Sequence, residues 1–119
     1  MVFGLFGGEK KRVAKMIAAA RAGNIEKIKQ LLAKGVSINA QERESGATPI
    51  LAAIEEDQWA TAEFLLTQQP DLNLGDKDGD TPLCLAVSEG DSALTLVDKL
   101  LDGGAKIDFA RADGATALF

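Results

Sequence analysis

The sequence predicts an all-α solenoid of stacked helix pairs, and three recurrences carry that expectation. The phrase Thr48-Pro49-Ile50-Leu51-Ala52-Ala53 returns as Thr81-Pro82-Leu83-Cys84-Leu85-Ala86-Val87, with the threonines 33 residues apart. A degraded copy, Gly114-Ala115-Thr116-Ala117-Leu118-Phe119, follows with its threonine 35 residues further on. A second phrase punctuates the intervals: Leu31-Leu32-Ala33-Lys34-Gly35, then Leu65-Leu66-Thr67-Gln68-Gln69-Pro70, then Leu100-Leu101-Asp102-Gly103-Gly104. Recurrence at such a period marks units that bury their apolar faces only by stacking on one another.

Each phrase has a local physical cause. A threonine hydroxyl can accept a hydrogen bond from an unpaired N–H of the first helical turn. Proline suits the first helical position, because its φ is preset and its missing N–H would be unpaired anyway. Gly35 ends its helix, as expected for a residue taking the left-handed conformation that glycine adopts without steric cost, and Gly103-Gly104 closes the last one. Gln69-Pro70 replaces that glycine in the middle copy, so this helix end is expected to differ locally, since a non-glycine residue there costs about 1 kcal/mol or more.

Thr81-Pro82-Leu83-Cys84-Leu85-Ala86-Val87 resembles the ankyrin phrase Thr-Pro-Leu-His-x-Ala, within a repeat of about 33 residues. The pattern Leu-Leu-x-x-Gly-Ala/Val-x-Ile-Asn/Asp agrees in Leu31–Asn39 and Leu100–Asp108. The resemblance covers roughly Val13 to Phe119 and implies helix pairs with hairpin-like fingers projecting to one side. It divides the chain into a flexible leader, 1–12, repeats at about 13–47, 48–80 and 81–115, and a truncated repeat at 116–119.

In chain order, residues 1–8 are glycine-rich and apolar. Glu9 to Ala22 reads as a capping helix with Val13, Met16, Ile17 and Ala20 on one face. Gly23-Asn24 turns the chain into a second helix marked by Ile25, Ile28, Leu31 and Leu32. Asn39 to Ala47 is the first finger, one residue longer than the second, Asn73 to Asp80. Thr48–Glu56 and Thr81–Glu89 are inner helices; Trp59–Leu66 and Leu94–Leu101 are their outer partners. The loop at Gly90-Asp91-Ser92 carries two extra residues, and Phe109 to Ala115 is a third finger. Among apolar positions, Leu100, Leu101, Leu118 and Phe119 are expected to leave surface uncovered at the last repeat.

Composition narrows the function. The 119 residues contain no histidine, no tyrosine and one cysteine. Histidine's absence removes the commonest general base and metal ligand, and with it Ser-His and Cys-His nucleophile pairs. An enzyme is not expected, nor a cofactor or a metal. A single cysteine forms no internal disulfide. No apolar run reaches the length of a membrane span, so stable membrane insertion is not expected. The default compartment is cytoplasmic, with a secreted effector left open. Residues 1–35 carry eight cations and two anions, net +6; residues 36–119 carry five cations and sixteen anions, net −11.

Other readings fit the residues less well. Asp76-Lys77-Asp78-Gly79-Asp80 suggests calcium, but the twelfth loop position, where a bidentate glutamate belongs, is Val87. Gly4 to Lys10 lacks the spacing and hydroxyl of a phosphate loop. Lys10, Lys11, Arg12 and Lys15 form a short basic cluster on an otherwise acidic chain, which reads as a solvated helix face and not as a nucleic-acid site. Cys84 replaces the family's histidine and reads as a small buried residue. Trp59 reads as half-buried.

The resemblance implies protein binding through a concave surface of finger tips and inner-helix ends. Carried over by position, the contacts would come from Arg21, Ala22, Glu55, Glu56, Ser88 and Glu89 before the inter-helix turns. The fingers would add Arg43, Glu44 and Ala47, then Lys77, Asp78 and Asp80, then Ala112, Asp113 and Ala115. This surface is mainly acidic beyond the first repeat, so the expected partner is a protein with a basic surface. The chain is expected to be a monomer or weak homo-oligomer, and head-to-tail self-association is the alternative role.

Overall fold

The computed structural model describes residues 2–104, with side chains described from Lys11 onward except at positions 91 and 92. Among these residues six α-helices form three pairs: α1 (Val2–Ala22) with α2 (Ile25–Ala33), α3 (Pro49–Glu55) with α4 (Trp59–Leu66), and α5 (Pro82–Ser88) with α6 (Leu94–Asp102). No strand occurs among the described residues. The third finger, the truncated repeat and Asp113 lie outside them.

The inner helices form the spine. α1 packs on α3 and α3 on α5, while each outer helix packs on its inner partner. α3 has a helix on three sides, so all six residues from Pro49 to Ile54 are buried. A helix apolar all round needs such surroundings. The flanking layers contribute Met16, Ile17, Ile28, Leu31, Leu65, Leu83 and Leu100, each no more than 2% exposed. Leu100 is thus fully covered, contrary to the expectation of an open position there, because it points inward from α6 to α5.

The two Thr-Pro starts form as the sequence predicts. Thr48 Oγ1 accepts from Leu51 N and Thr81 Oγ1 accepts from Cys84 N, both at 3.4 Å. Cys84 is buried, and its Sγ accepts a further hydrogen bond from Thr81 Oγ1 at 3.3 Å. Asn24 caps α2 through its side chain, accepting from Lys27 N at 3.1 Å.

Three local expectations are corrected. α1 begins at Val2 and not at Glu9; Gly4, Gly7 and Gly8 weaken a helix but, unlike proline, keep their N–H groups and do not stop its propagation. The insertion after Gly90 is a turn of 3-10 helix, Gly90–Ala93, not an open loop. The end of α4 keeps the geometry of its siblings: Gln69 has φ 54°, at the place where Gly35 has 95° and Gly104 has 101°. Tertiary packing, which buries Leu72 just beyond the turn, overrides the local preference there.

Candidate functional site

The fingers are one part of the expected binding surface. In finger 1, Glu42 N donates to Ala47 O at 2.9 Å; in finger 2, Asp76 N donates to Asp80 O at 3.1 Å. The longer reach from Glu42 to Ala47 absorbs the extra residue of finger 1 within its tip. The fingers stack directly. Lys77 N donates to Ser45 O at 3.1 Å, and Gln41 Nε2 donates to Gly46 O and Gly75 O at 3.0 Å each. A Cβ on Gly46 would lie 2.8 Å from Lys77 N, and its φ is 74°, so the stack requires glycine at that place.

The inner-helix ends are the other part of the expected binding surface. Arg21 ends α1, Glu55 and Glu56 end α3, and Ser88 and Glu89 end α5. Arg21 is half-buried and lies between two carboxylates, with Nη2 3.8 Å from Glu42 and Nη1 3.8 Å from Glu55. Its carbonyl accepts from Gln58 Nε2 at 3.1 Å, which joins the first inter-helix turn to the second. Burial pushes the Glu55 carboxyl above the usual glutamate range; Arg21 opposes this, while Asp76, Glu56 and Asp80 add to it. Finger 2 and the end of α3 therefore share one acidic environment.

Of the residues expected to meet a partner, Arg43, Glu44, Glu55, Glu56, Lys77, Asp78, Ser88 and Glu89 are exposed, and Arg21 and Asp80 are half-buried. Ala47 is corrected: it is only 1% exposed, because it precedes the Thr48 cap and is pressed into the stack. Glu42 and Asp76 were missed by sequence reasoning. They lie 34 residues apart at equivalent finger bases, so the repeat spacing itself could have paired them. Asp76, Asp78 and Asp80 bring carboxylate oxygens within 4.8 Å of one another. Asp76 Oδ1 is already engaged there, accepting from Asp78 N at 2.9 Å and Asp80 N at 3.1 Å. It closes the finger turn, as aspartate side chains do in such loops.

Helix pairs stacked through their inner helices, with finger turns on one side, define a helical repeat protein of the solenoid class. A family model for ankyrin repeats in three copies matches residues 15–111, and the chain belongs to the ankyrin-repeat family. It is 34% identical over 96 residues to the NF-kappa-B p105 subunit of Gallus gallus, across 80% of this chain and 10% of that protein. It is 35% identical over 75 residues to the 2-5A-dependent ribonuclease of Homo sapiens, across 63% of this chain and 10% of the enzyme. It is 45% identical over 56 residues to the NF-kappa-B inhibitor cactus of Drosophila melanogaster, across 47% and 11% respectively. The chain thus spans about a tenth of the length of these relatives. Ankyrin repeats are protein-binding modules and typically not enzymes. Among the described residues, no helix is long and apolar enough to cross a membrane.

Proposed function

We propose that this chain binds another protein through the acidic concave face made by the ends of α3 and α5 and the tips of fingers 1 and 2, and that the partner presents lysine and arginine. The observation that carries this reading is the meeting of finger and helix end: Arg21 lies 3.8 Å from both Glu42 of finger 1 and Glu55 at the end of α3, and Asp76 and Asp80 of finger 2 act on the same Glu55 carboxyl. Arg21, held between Glu42 and Glu55, illustrates how a guanidinium sits on such a face. Like charges gathered on one wall steer a cationic partner and raise its association rate. Glu89 extends the same wall to the third repeat. The consequence for the partner is occlusion of its basic surface, which suits an inhibitor, an adaptor or a neutralising protein. A cytoplasmic location, where Cys84 stays reduced, fits this role.

The test starts with capture of partners from a lysate on the immobilised chain, read by mass spectrometry. The captured partner is then titrated against the wild-type chain and the Glu55→Lys/Glu56→Lys/Glu89→Lys variant. The expected result is a loss of affinity of about tenfold or more, chiefly through slower association, with the difference shrinking at high salt. An unchanged affinity and association rate would remove this face from the reading.

A further inference from the structure

Three hydrogen bonds join the segment that carries finger 2 to the one that carries finger 1. Asp71 N donates to Asn39 Oδ1 at 2.7 Å, Gln41 Nε2 donates to Gly75 O at 3.0 Å, and Lys77 N donates to Ser45 O at 3.1 Å. Repeat 2 therefore offers two N–H groups and one carbonyl, at 71, 75 and 77, to the repeat before it. The same places in repeat 1, 34 residues earlier, are held by Ser37, Gln41 and Arg43. The local turns agree. Ser37 Oγ accepts from Asn39 N at 3.0 Å, as Asp71 Oδ1 accepts from Asn73 N at 3.0 Å. Ala40 N donates to Ser37 O at 3.1 Å, as Leu74 N donates to Asp71 O at 3.4 Å. Ser37 N, Gln41 O and Arg43 N are thus the counterparts of the three joining groups. Among the described residues none of the three has a hydrogen-bond partner.

The element before finger 1 is α1 and not another finger. A helix bonds its N–H and C=O groups along its own axis, so α1 offers no edge to pair with. It bounds a cleft of about 570 Å³ instead, lined by Arg12 and Val13 and by residues of the segment 35–41, Ser37 and Gln41 among them. Two of the three residues with unpaired groups therefore line the cleft, and all three are exposed. Gln41 O and Arg43 N flank Glu42 as the acceptor and donor that a parallel strand engages: one residue of an extended segment gives its N–H to the first and accepts from the second. Ser37 N is left for a side-chain oxygen, as Asp71 N takes that of Asn39. Charge decides which oxygen. Arg12 is exposed at the cleft, the exposed Lys34 directly precedes the segment, and residues 1–35 carry a net +6. A carboxylate fits there.

We propose that the open edge of finger 1 pairs with an extended acidic segment of a partner protein. Its backbone bridges Gln41 O and Arg43 N, and its aspartate or glutamate side chain accepts from Ser37 N beside Arg12. The mode is strand addition, in which main-chain hydrogen bonds hold the segment and a pocket selects its side chain. The segment takes the place of one more member of the finger stack. It uses the side of finger 1 away from finger 2 and none of the carboxylates at the ends of α3 and α5, so it is independent of the binding function proposed above.

The test titrates the isotope-labelled 119-residue chain to several millimolar with a blocked hexapeptide of alternating aspartate and valine, following the amide resonances by NMR. The expected result is saturable shifts at the Ser37 and Arg43 amides and slowed hydrogen exchange at Arg43. The Lys77 amide, already engaged by Ser45, should change little. Methylating the backbone nitrogens of the peptide should weaken binding about tenfold, because Gln41 O then loses its donor. Exchanging the aspartates for lysines should weaken it at least as much. The Arg12→Glu chain should lose affinity for the aspartate peptide and gain it for the lysine peptide; Arg12 is exposed, and a matching thermal melt will verify the fold. Absence of shifts at Ser37 and Arg43 in the wild-type chain overturns the proposal. Equal binding of the methylated peptide does so too, since charge alone would then be the attraction. Shifts at these amides that grow with protein concentration without peptide would assign the edge to a second copy and likewise overturn it.

Discussion

Gln69 offers a clean measurement of what one backbone conformation costs this repeat. It holds φ at 54°, where Gly35 and Gly104 stand in the neighbouring repeats. An L-residue in the left-handed region costs about 1–2 kcal/mol relative to glycine, and Pro70 directly after it disfavours helical backbone further. Glycine loses more chain entropy on folding, which offsets about 0.4–1 kcal/mol of the relief. The Gln69 side chain is exposed, so little packing is lost with it. Gln69→Gly should therefore stabilise the protein by about 0.5–1 kcal/mol, which for a chain of this size raises the melting midpoint by roughly 2–5 °C. The reverse exchange at the equivalent place isolates the backbone contribution. A Cβ built on Gly35 meets no atom within 4 Å, and φ there is 95°, so Gly35→Gln is strained without any clash. It should destabilise by a similar or larger amount. Urea unfolding of both variants, followed by circular dichroism with matched m-values, is the assay. A Gln69→Gly midpoint equal to or below wild type would refute the reasoning, since tertiary strain at this turn would then be absent.

Two further outcomes follow from the local chemistry. Thr81→Ala should lower stability by about 0.5–1 kcal/mol, the lower half of the usual capping range because the bond is long at 3.4 Å; a urea midpoint unchanged within error would show that the cap contributes nothing. Glu55 binds its proton more tightly in the folded chain than in the unfolded one, because burial raises its pKa. Its contribution to stability is therefore present at low pH and is lost as pH rises through the raised folded pKa. Glu55→Gln should flatten the stability profile across that window and leave the protein at least as stable at neutral pH, where thermal melts in a pH series will check it; a clear loss of stability at neutral pH would show that the Arg21 pair outweighs the burial.

Much of the fold is legible in single segments. The caps at Thr48 and Thr81, the prolines after them and the apolar faces of the helices are decided by residues within a turn or two of each other. The half-burial of Trp59 and the full burial of Cys84 follow from the same register. Side-chain meetings between repeats are another matter. Arg21 finds Glu42 and Glu55, Gln58 reaches the Arg21 carbonyl, and Gln41 joins Gly46 to Gly75. Those pairings depend on how far one repeat is displaced and rotated against the next, which no repeat encodes alone.

The sequence by itself determined the repeat period, the order of the helices and the acidic character of the surface beyond the first repeat, because capping and periodicity act over short range. The tertiary structure alone decided that Ala47 is buried, that Gln69 takes a glycine's conformation, that Glu55 joins finger 2 in one acidic environment, and that Leu94 and Leu101 are exposed where Trp59 and Leu66 are half-covered. These outcomes depend on contacts between segments that no single helix or turn contains. Equivalent residues differ only in what is stacked against them, and stacking is a property of the assembled layers and not of the segment.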